Sequence, residues 1–284
     1  MKVLGTSDRW TAKDHADLQA AVALLEDRSF AMTLAAKVGM PVESLLRMLP
    51  DGAQHQIGKG VNKALEQCLK VALGFRTGAS ATKGSKGRHT FATAVTGAMG
   101  GFFGLPGLVV ELPVTTTVML HSIAEIARGQ GEDLSDPDAA LACLEVLALG
   151  PEGMQRGAME SAYYATRAAL SSVTRDAATY LAQKGAVKEG APALISFLAK
   201  IGARFGIEVS EKAAAQLIPV AGAAGGLALN VLFSRHFQRL AEGHFVVRRL
   251  ERTYGSESVR AEYEAARAKT VLADGPAVRG AVTS

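Results

Sequence analysis

From Phe91 to Val110 the chain runs for twenty residues without a formal charge, and no other stretch limits the possible folds as strongly. About 20 apolar residues are enough to cross a bilayer as a helix. The composition argues against a simple span. Gly97, Gly100, Gly101, Gly104 and Gly107 fall in the run with Pro106, and glycine, alanine and threonine supply little insertion energy compared with leucine, isoleucine, phenylalanine and valine. The pairs Gly97/Gly101 and Gly100/Gly104 have the small-xxx-small spacing that lets helix backbones approach closely, in lipid or in a protein core. The run therefore reads as a tight packing surface. Residues 213–234 form a second uncharged run of twenty-two, with Pro219, Gly222, Gly225 and Gly226 inside it and Gly222/Gly226 at the same spacing. The two glycine-rich segments are expected to pack against each other at the centre of the fold.

Placing residues about 100° apart on a helix after Val110 puts Glu111, Thr115, His121, Glu125 and Arg128 on one side. Leu112, Met119, Leu120, Ile123 and Ala127 fall opposite. Such a helix sits at a boundary, between core and water or beside a lined cavity. Glu111 closes an uncharged stretch, so its desolvation demands a partner; Arg204 and Arg235 are the cations considered for it.

At 284 residues the chain can bury a large core, as one big domain or two ordinary ones. Apolar residues at 48% against 20% charged exclude disorder for most of its length. The net charge of +4 matters for an anionic partner only where basic residues concentrate locally. Cys68 and Cys143 stand alone, without a CxxC spacing, which points to reduced thiols and a cytosolic setting. Residues 1–10 carry charge and lack the apolar core of a secretory signal.

Apolar periodicity and the Gly/Pro punctuation predict helices throughout. A first helix spans Thr11 to Val38, a short one Pro41 to Leu49, and a third Ala53 to Leu73, with Leu65, Cys68, Leu69 and Ala72 on its inner side. Gly74 to His89 reads as a basic loop. Asp136-Pro137 caps a helix reaching about Leu149; another follows from Met154 to Gln183, and Pro192 opens one to Phe205, with Ser210 capping the next. Leu229 to Tyr254 is amphipathic, with Phe233, Phe237, Leu240, Val247 and Tyr254 inward and Arg235, Arg239, Glu242 and Arg249 outward. A last helix covers Ser256 to Lys269. No segment alternates with period two, so the fold class is all-α: a compact multi-helix bundle with glycine-rich, tightly packed central helices. The expected organisation is an N-terminal helical segment over 1–39, a main helical domain over 40–270 and a loose tail over 271–284.

The chain lacks a Walker A loop, a dinucleotide fingerprint, HExxH and a GxSxG elbow, and no cofactor or metal is expected. The weak catalytic candidates are Glu111, His121, Glu125, His236 and His244. His121 and Glu125, four residues apart, read first as a surface polar pair. His236 and His244 lie roughly 12 Å apart along a helix and cannot share one metal ion; buried, hydrogen-bonded core histidines are the expectation. Asn230 reads as a buried group that fixes helix register. Two basic stretches, Lys59 to Arg88 and Arg235 to Arg252, each adjoin an uncharged run, the pattern of segments that meet anionic headgroups. Neither carries a nucleic-acid motif.

The blocks Thr96 to Gly104, Glu111-Leu112-Pro113 and Gly131-Glu132-Asp133 resemble the EcsC family. So do Tyr163-Tyr164, Arg167, Arg204-Phe205-Gly206, Ser210 to Gln216, Pro219-Val220, Asn230, His236-Phe237-Gln238, Gly243-His244-Phe245 and Arg248 to Glu251. The resemblance covers most of residues 40–265. It implies a bacterial, mostly helical protein, often thought membrane-associated, in a family named after a protein encoded beside an ABC transporter and without an agreed catalytic residue. The resulting expectation is a non-enzymatic cytoplasmic protein attached peripherally at the inner face of the cytoplasmic membrane. Its partner would be an anionic membrane surface or a membrane protein such as an ABC transporter, not nucleic acid. Lys83, Lys86, Arg88, Arg235, Arg239 and Arg249 would make the contact, and Gly97, Gly100, Gly101, Gly104, Gly222 and Gly226 the helix packing. A hydrolase or metal-dependent enzyme with a Glu/His cavity and a two-span membrane protein are the alternatives.

Overall fold

The computed structural model describes residues 10–26, 30–76, 104–150, 161–184, 191–217 and 222–273. Ten α-helices are found among them and no strand: α1 (Ala12–Leu25), α2 (Phe30–Val38), α3 (Val42–Leu46), α4 (Ala53–Arg76), α5 (Gly104–Gly129), α6 (Pro137–Glu145), α7 (Ala162–Lys184), α8 (Pro192–Gln216), α9 (Gly222–Tyr254) and α10 (Ser256–Ala273). They pack into an all-α bundle around one continuous apolar core.

Local chemistry explains the boundaries that differ from the sequence reading. The first helix stops at Leu25, and a second begins at Phe30, in place of one helix to Val38. The helix expected from Met154 begins at Ala162, where Ser161 Oγ accepts a hydrogen bond from the Tyr164 N–H and satisfies a donor of the first turn. The break expected between Phe205 and Ser210 is absent. Ser210 is buried mid-helix, and its hydroxyl donates back to the Gly206 carbonyl at 2.8 Å, the alternative to capping that serine has inside a helix. The third helix, α4, continues to Arg76, beyond its expected end at Leu73, and residues 77–89 of the expected basic loop are outside the described residues. The Asp136 cap is as expected, its carboxylate accepting from the Asp138 N–H at 3.1 Å with Pro137 in the first turn.

Residue 39 does not mark a break in the core, because Leu18, Val22, Leu25, Phe30 and Leu34 from α1 and α2 belong to the same apolar cluster as the later helices. α1 lies so close to α9 that a Cβ at Gly243 would stand 2.7 Å from Leu25 Cγ and 3.1 Å from the Ala21 carbonyl oxygen. Glycine is therefore required at that crossing. The packing glycines expected at Gly97, Gly100 and Gly101 lie outside the described residues. Gly104 and Gly222 are the first residues of α5 and α9, and Gly226 is half-buried in α9.

Three cross-helix contacts fix how the central helices run. Glu111 meets Asn230, Ser122 meets Gln238 and Gln130 meets Arg249, so α5 and α9 are parallel. Cys68 lies beside Thr117 and Phe75 packs edge-on against His121, so α4 is parallel to α5 as well. α8 is antiparallel to α4, with Gly202 against Leu65 and Ser210 hydrogen-bonded to Gln54. α5 packs against both α4 and α9, which have no comparable contact with each other. It therefore separates them and keeps one face outward.

Candidate functional site

The end of the first uncharged run and the start of the second lie together in the structure. Glu111 directly follows the first run, and Lys212 directly precedes the second. These two charges are paired in the interior: Lys212 Nζ donates to Glu111 Oε1 at 3.0 Å, with side-chain exposures of 0% and 3%. The same oxygen accepts from Asn230 Nδ2 at 2.7 Å and from Thr115 Oγ1 at 3.2 Å. Glu111 Oε2 is buried and has no donor among the described residues. The ammonium also lies 5.0 Å from the centre of the Phe233 ring, a cation–π contact in a desolvated setting. Burial pushes the Lys212 ammonium below the usual lysine range, and Glu111 pulls it back toward the charged form.

This arrangement corrects the expected partner of Glu111, which is neither Arg204 nor Arg235. Arg204 instead caps the chain after α6, its guanidinium donating to the Ala148 carbonyl at 2.9 Å and the Gly150 carbonyl at 3.4 Å. Arg235 points outward from α9. Asn230 is a buried hydrogen-bonding residue, as the sequence reading expected.

The stripe read from the sequence divides in the structure. Leu112, Met119, Leu120, Ile123 and Ala127 are buried as anticipated. Glu111 and Thr115 turn inward toward α9, whereas His121 and Glu125 are half-buried and Arg128 is exposed. The outer line of α5 is therefore Val110, Val114, Val118, His121, Glu125 and Arg128, apolar in its N-terminal half. Val110 is 71% exposed and Val114 49%.

The other candidate catalytic residues occupy separate neighbourhoods. His121 Nδ1 lies 2.9 Å from the Thr117 carbonyl, which can only accept, so the ring carries hydrogen on that nitrogen. His236 Nε2 stands 3.7 Å from Glu208 Oε1, beside Phe30 and Phe237. Arg204 and Glu208 help line a small cleft with Leu147 to Gly150. His244 is fully buried, with Nδ1 3.0 Å from the Tyr163 hydroxyl. Burial, and then the Arg167 and Arg248 charges, push its pKa well below the ordinary histidine value. Glu111, His121, His236 and His244 thus have different immediate partners. No group of three or more metal-ligating side chains occurs among the described residues.

A second buried polar cluster, which the sequence reading did not assemble, joins α6, α7 and α9. Arg167 forms a two-pronged pair with Glu251 at 2.7 and 3.0 Å. Glu145 accepts from Thr174 Oγ1, and burial raises its carboxyl above the ordinary range. Glu132 takes Arg248 at 2.9 Å and also pairs with Arg252, while Arg248 reaches Asp138 at 3.0 Å. Arg249, expected at a membrane surface, is committed inside the fold to Asp14 at 2.9 Å and Asp17 at 2.7 Å. Hydrogen bonds from Tyr254, Thr11 and Arg249 hold the Asp14 carboxyl down at about 2. Lys83, Lys86 and Arg88 lie outside the described residues, and Arg235 and Arg239 are exposed one turn apart on α9.

No helix among the described residues is long and apolar enough to cross a membrane. The EcsC protein family matches the chain over residues 14–250, and the chain belongs to that family. No curated protein matches the sequence. No solved structure matches it either.

Proposed function

We propose that this EcsC-family chain is a non-enzymatic protein attached peripherally at the inner face of the cytoplasmic membrane. The observation that carries the reading is the mutual neutralisation, in the interior, of the charge that closes the first uncharged run, Glu111, and the charge that opens the second, Lys212. An unpaired charge at either border would need water, and exposing it to lipid would cost several kcal/mol by the usual scales. Paired and buried, the two charges let the end of the first run and the start of the second lie together without carrying an ion to the surface. The exposed valines at the end of the first run and just after it, on a body that buries most of its large apolar side chains, fit the same reading. The dispersal of the candidate histidines among different partners supports a binding role over a catalytic one.

The test is fractionation of cells expressing the tagged full-length chain, with the membrane pellet washed in high salt, then carbonate, then detergent. Recovery in the membrane fraction with release by salt or carbonate is expected. Recovery wholly in the soluble fraction refutes membrane attachment, and release by detergent alone refutes its peripheral character.

A further inference from the structure

We infer that the outer face of α5, flanked by α4 and α9, is the docking face, and that its occupant is an anionic lipid surface. The inference rests on the membrane reading above and names the residues that would meet the bilayer. Val110 and Val114 stand one helical turn apart on this face at 71% and 49% exposure. Val110 is the most exposed of the large apolar side chains among the described residues. Val118, the next residue on the line, is half-buried.

The charges on either side are complementary to anionic headgroups. Cys68 lies level with Thr117, and the two helices are parallel. Lys59 and Lys63, nine and five residues before Cys68, therefore lie about level with the stretch of α5 that carries Val110 and Val114, since both helices rise about 1.5 Å per residue. Both lysines are exposed, and neither has an ion-pair partner among the described residues. Glu66 is the one exposed acid on this part of α4. On the other flank, Asn230 is level with Glu111, so Arg235 stands about 8 Å further along α9, close to the level of Val114. Arg235 is exposed and likewise without an ion-pair partner among the described residues. In contrast, Arg167, Arg248, Arg249 and Arg252 are all engaged in internal pairs. An apolar ridge with Lys59 and Lys63 on one flank and Arg235 on the other matches the way interfacial segments bind, with apolar contact supplying depth and basic residues supplying attraction to acidic lipid.

The experiment is co-sedimentation of the full-length chain with two sets of vesicles, one of phosphatidylcholine alone and one containing phosphatidylglycerol. Two double variants are compared with the unaltered protein: V110D/V114D on α5 and K59E/K63E on α4. All four positions are solvent-facing or half so on helices, and circular dichroism confirms that each variant folds. The unaltered chain is expected to sediment with phosphatidylglycerol vesicles only, and less so as salt is raised. K59E/K63E is expected to lose about tenfold or more in partitioning, since each basic residue near an acidic surface contributes roughly fivefold, and V110D/V114D is expected to lose at least as much because it replaces the apolar ridge with acids. If the unaltered chain sediments and both variants follow it equally, this face is not the docking face, although the membrane reading stands. If the unaltered chain stays in the supernatant with both vesicles, yet fractionates with membranes in cells, a membrane protein holds it and the lipid inference is overturned.

Discussion

Substituting Lys212 with methionine removes the cation from the buried cluster and leaves its shape nearly intact. The long unbranched side chain of methionine can follow the lysine stem and keep a sulfur–aromatic contact with Phe233, whose ring centre lies 5.0 Å from the native ammonium. The change therefore tests charge more than packing. With 0% and 3% of the two side chains exposed, the surface-pair value of about 0–1 kcal/mol does not apply. Stranding one member of a buried pair costs about 3–5 kcal/mol, a large part of the roughly 5–15 kcal/mol that holds a typical domain together. Glu111→Gln removes the other charge while keeping an oxygen for Asn230 and Thr115. The double variant E111Q/K212M has no buried charge to strand and is expected to return to within about 1–2 kcal/mol of the unaltered protein. Urea unfolding of all four proteins, with the slope m checked for constancy, gives the coupling energy directly. A coupling below about 0.5 kcal/mol, or a K212M protein as stable as the original, would refute the claim that mutual neutralisation holds this point of the fold together.

Four other outcomes follow from the same geometry. His244 is neutral and buried in the fold but titrates near 6.5 when unfolded, so the unfolded chain binds more protons below that value. Its contribution to stability is full above pH 6.5 and falls as pH drops toward its depressed folded value, by up to about 1.4 kcal/mol per pH unit. Buried Glu145 opposes this at lower pH because its folded pKa is raised, so the measurement is the difference in unfolding free energy between the unaltered chain and H244N from pH 7.5 to 5, which should shrink as pH falls. Gly243→Ala should cost about 1–3 kcal/mol, because its Cβ would meet Leu25 and the Ala21 carbonyl. Gly206→Ala, with nothing within 4 Å, should be neutral or stabilising by up to about 1 kcal/mol, and both variants are read by urea unfolding. Cys68 and Cys143 are fully buried with thiols pushed up to about 12, so a thiol reagent at pH 8 should label neither until denaturant is added.

The sequence made most of the helical plan readable, since its apolar periodicity matches buried faces such as Leu65, Cys68, Leu69 and Ala72 on α4. The fine boundaries were less readable because they depend on hydrogen bonds that a serine can make in two ways. Ser161 caps a helix through its own oxygen, whereas Ser210 bonds back to a carbonyl inside one. From the sequence Ser210 reads as a cap and Ser161 is passed over, because tertiary packing decides between the two uses. The tightest crossing among the described glycines was also missed. Gly243 has no small residue four positions away on either side, since Arg239 and Val247 stand there, so the spacing rule that singled out Gly222 and Gly226 passes over it.

The missed partner of Glu111 has a different physical origin. The cations considered from the sequence, Arg204 and Arg235, are arginines, whose planar guanidinium forms two-pronged carboxylate pairs. A two-pronged partner would engage both carboxylate oxygens. Here Oε1 receives Lys212, Asn230 and Thr115 together, while Oε2 receives nothing from the described residues. That geometry suits a point charge with rotatable donors beside a neutral amide, which is what a lysine on α8 and an asparagine on α9 provide. The signal was nevertheless present in the spacing of charge: a long uncharged run closes with Glu111, and another opens after Lys212. If two such runs must enter the same apolar environment, Glu111 and one of the two bases that bound the second run, Lys212 or Arg235, are each other's least costly partners. The pairing of opposite charges at the borders of separate uncharged runs is thus a contact prediction in its own right. It brings α5 and α8 together here across 101 residues of chain.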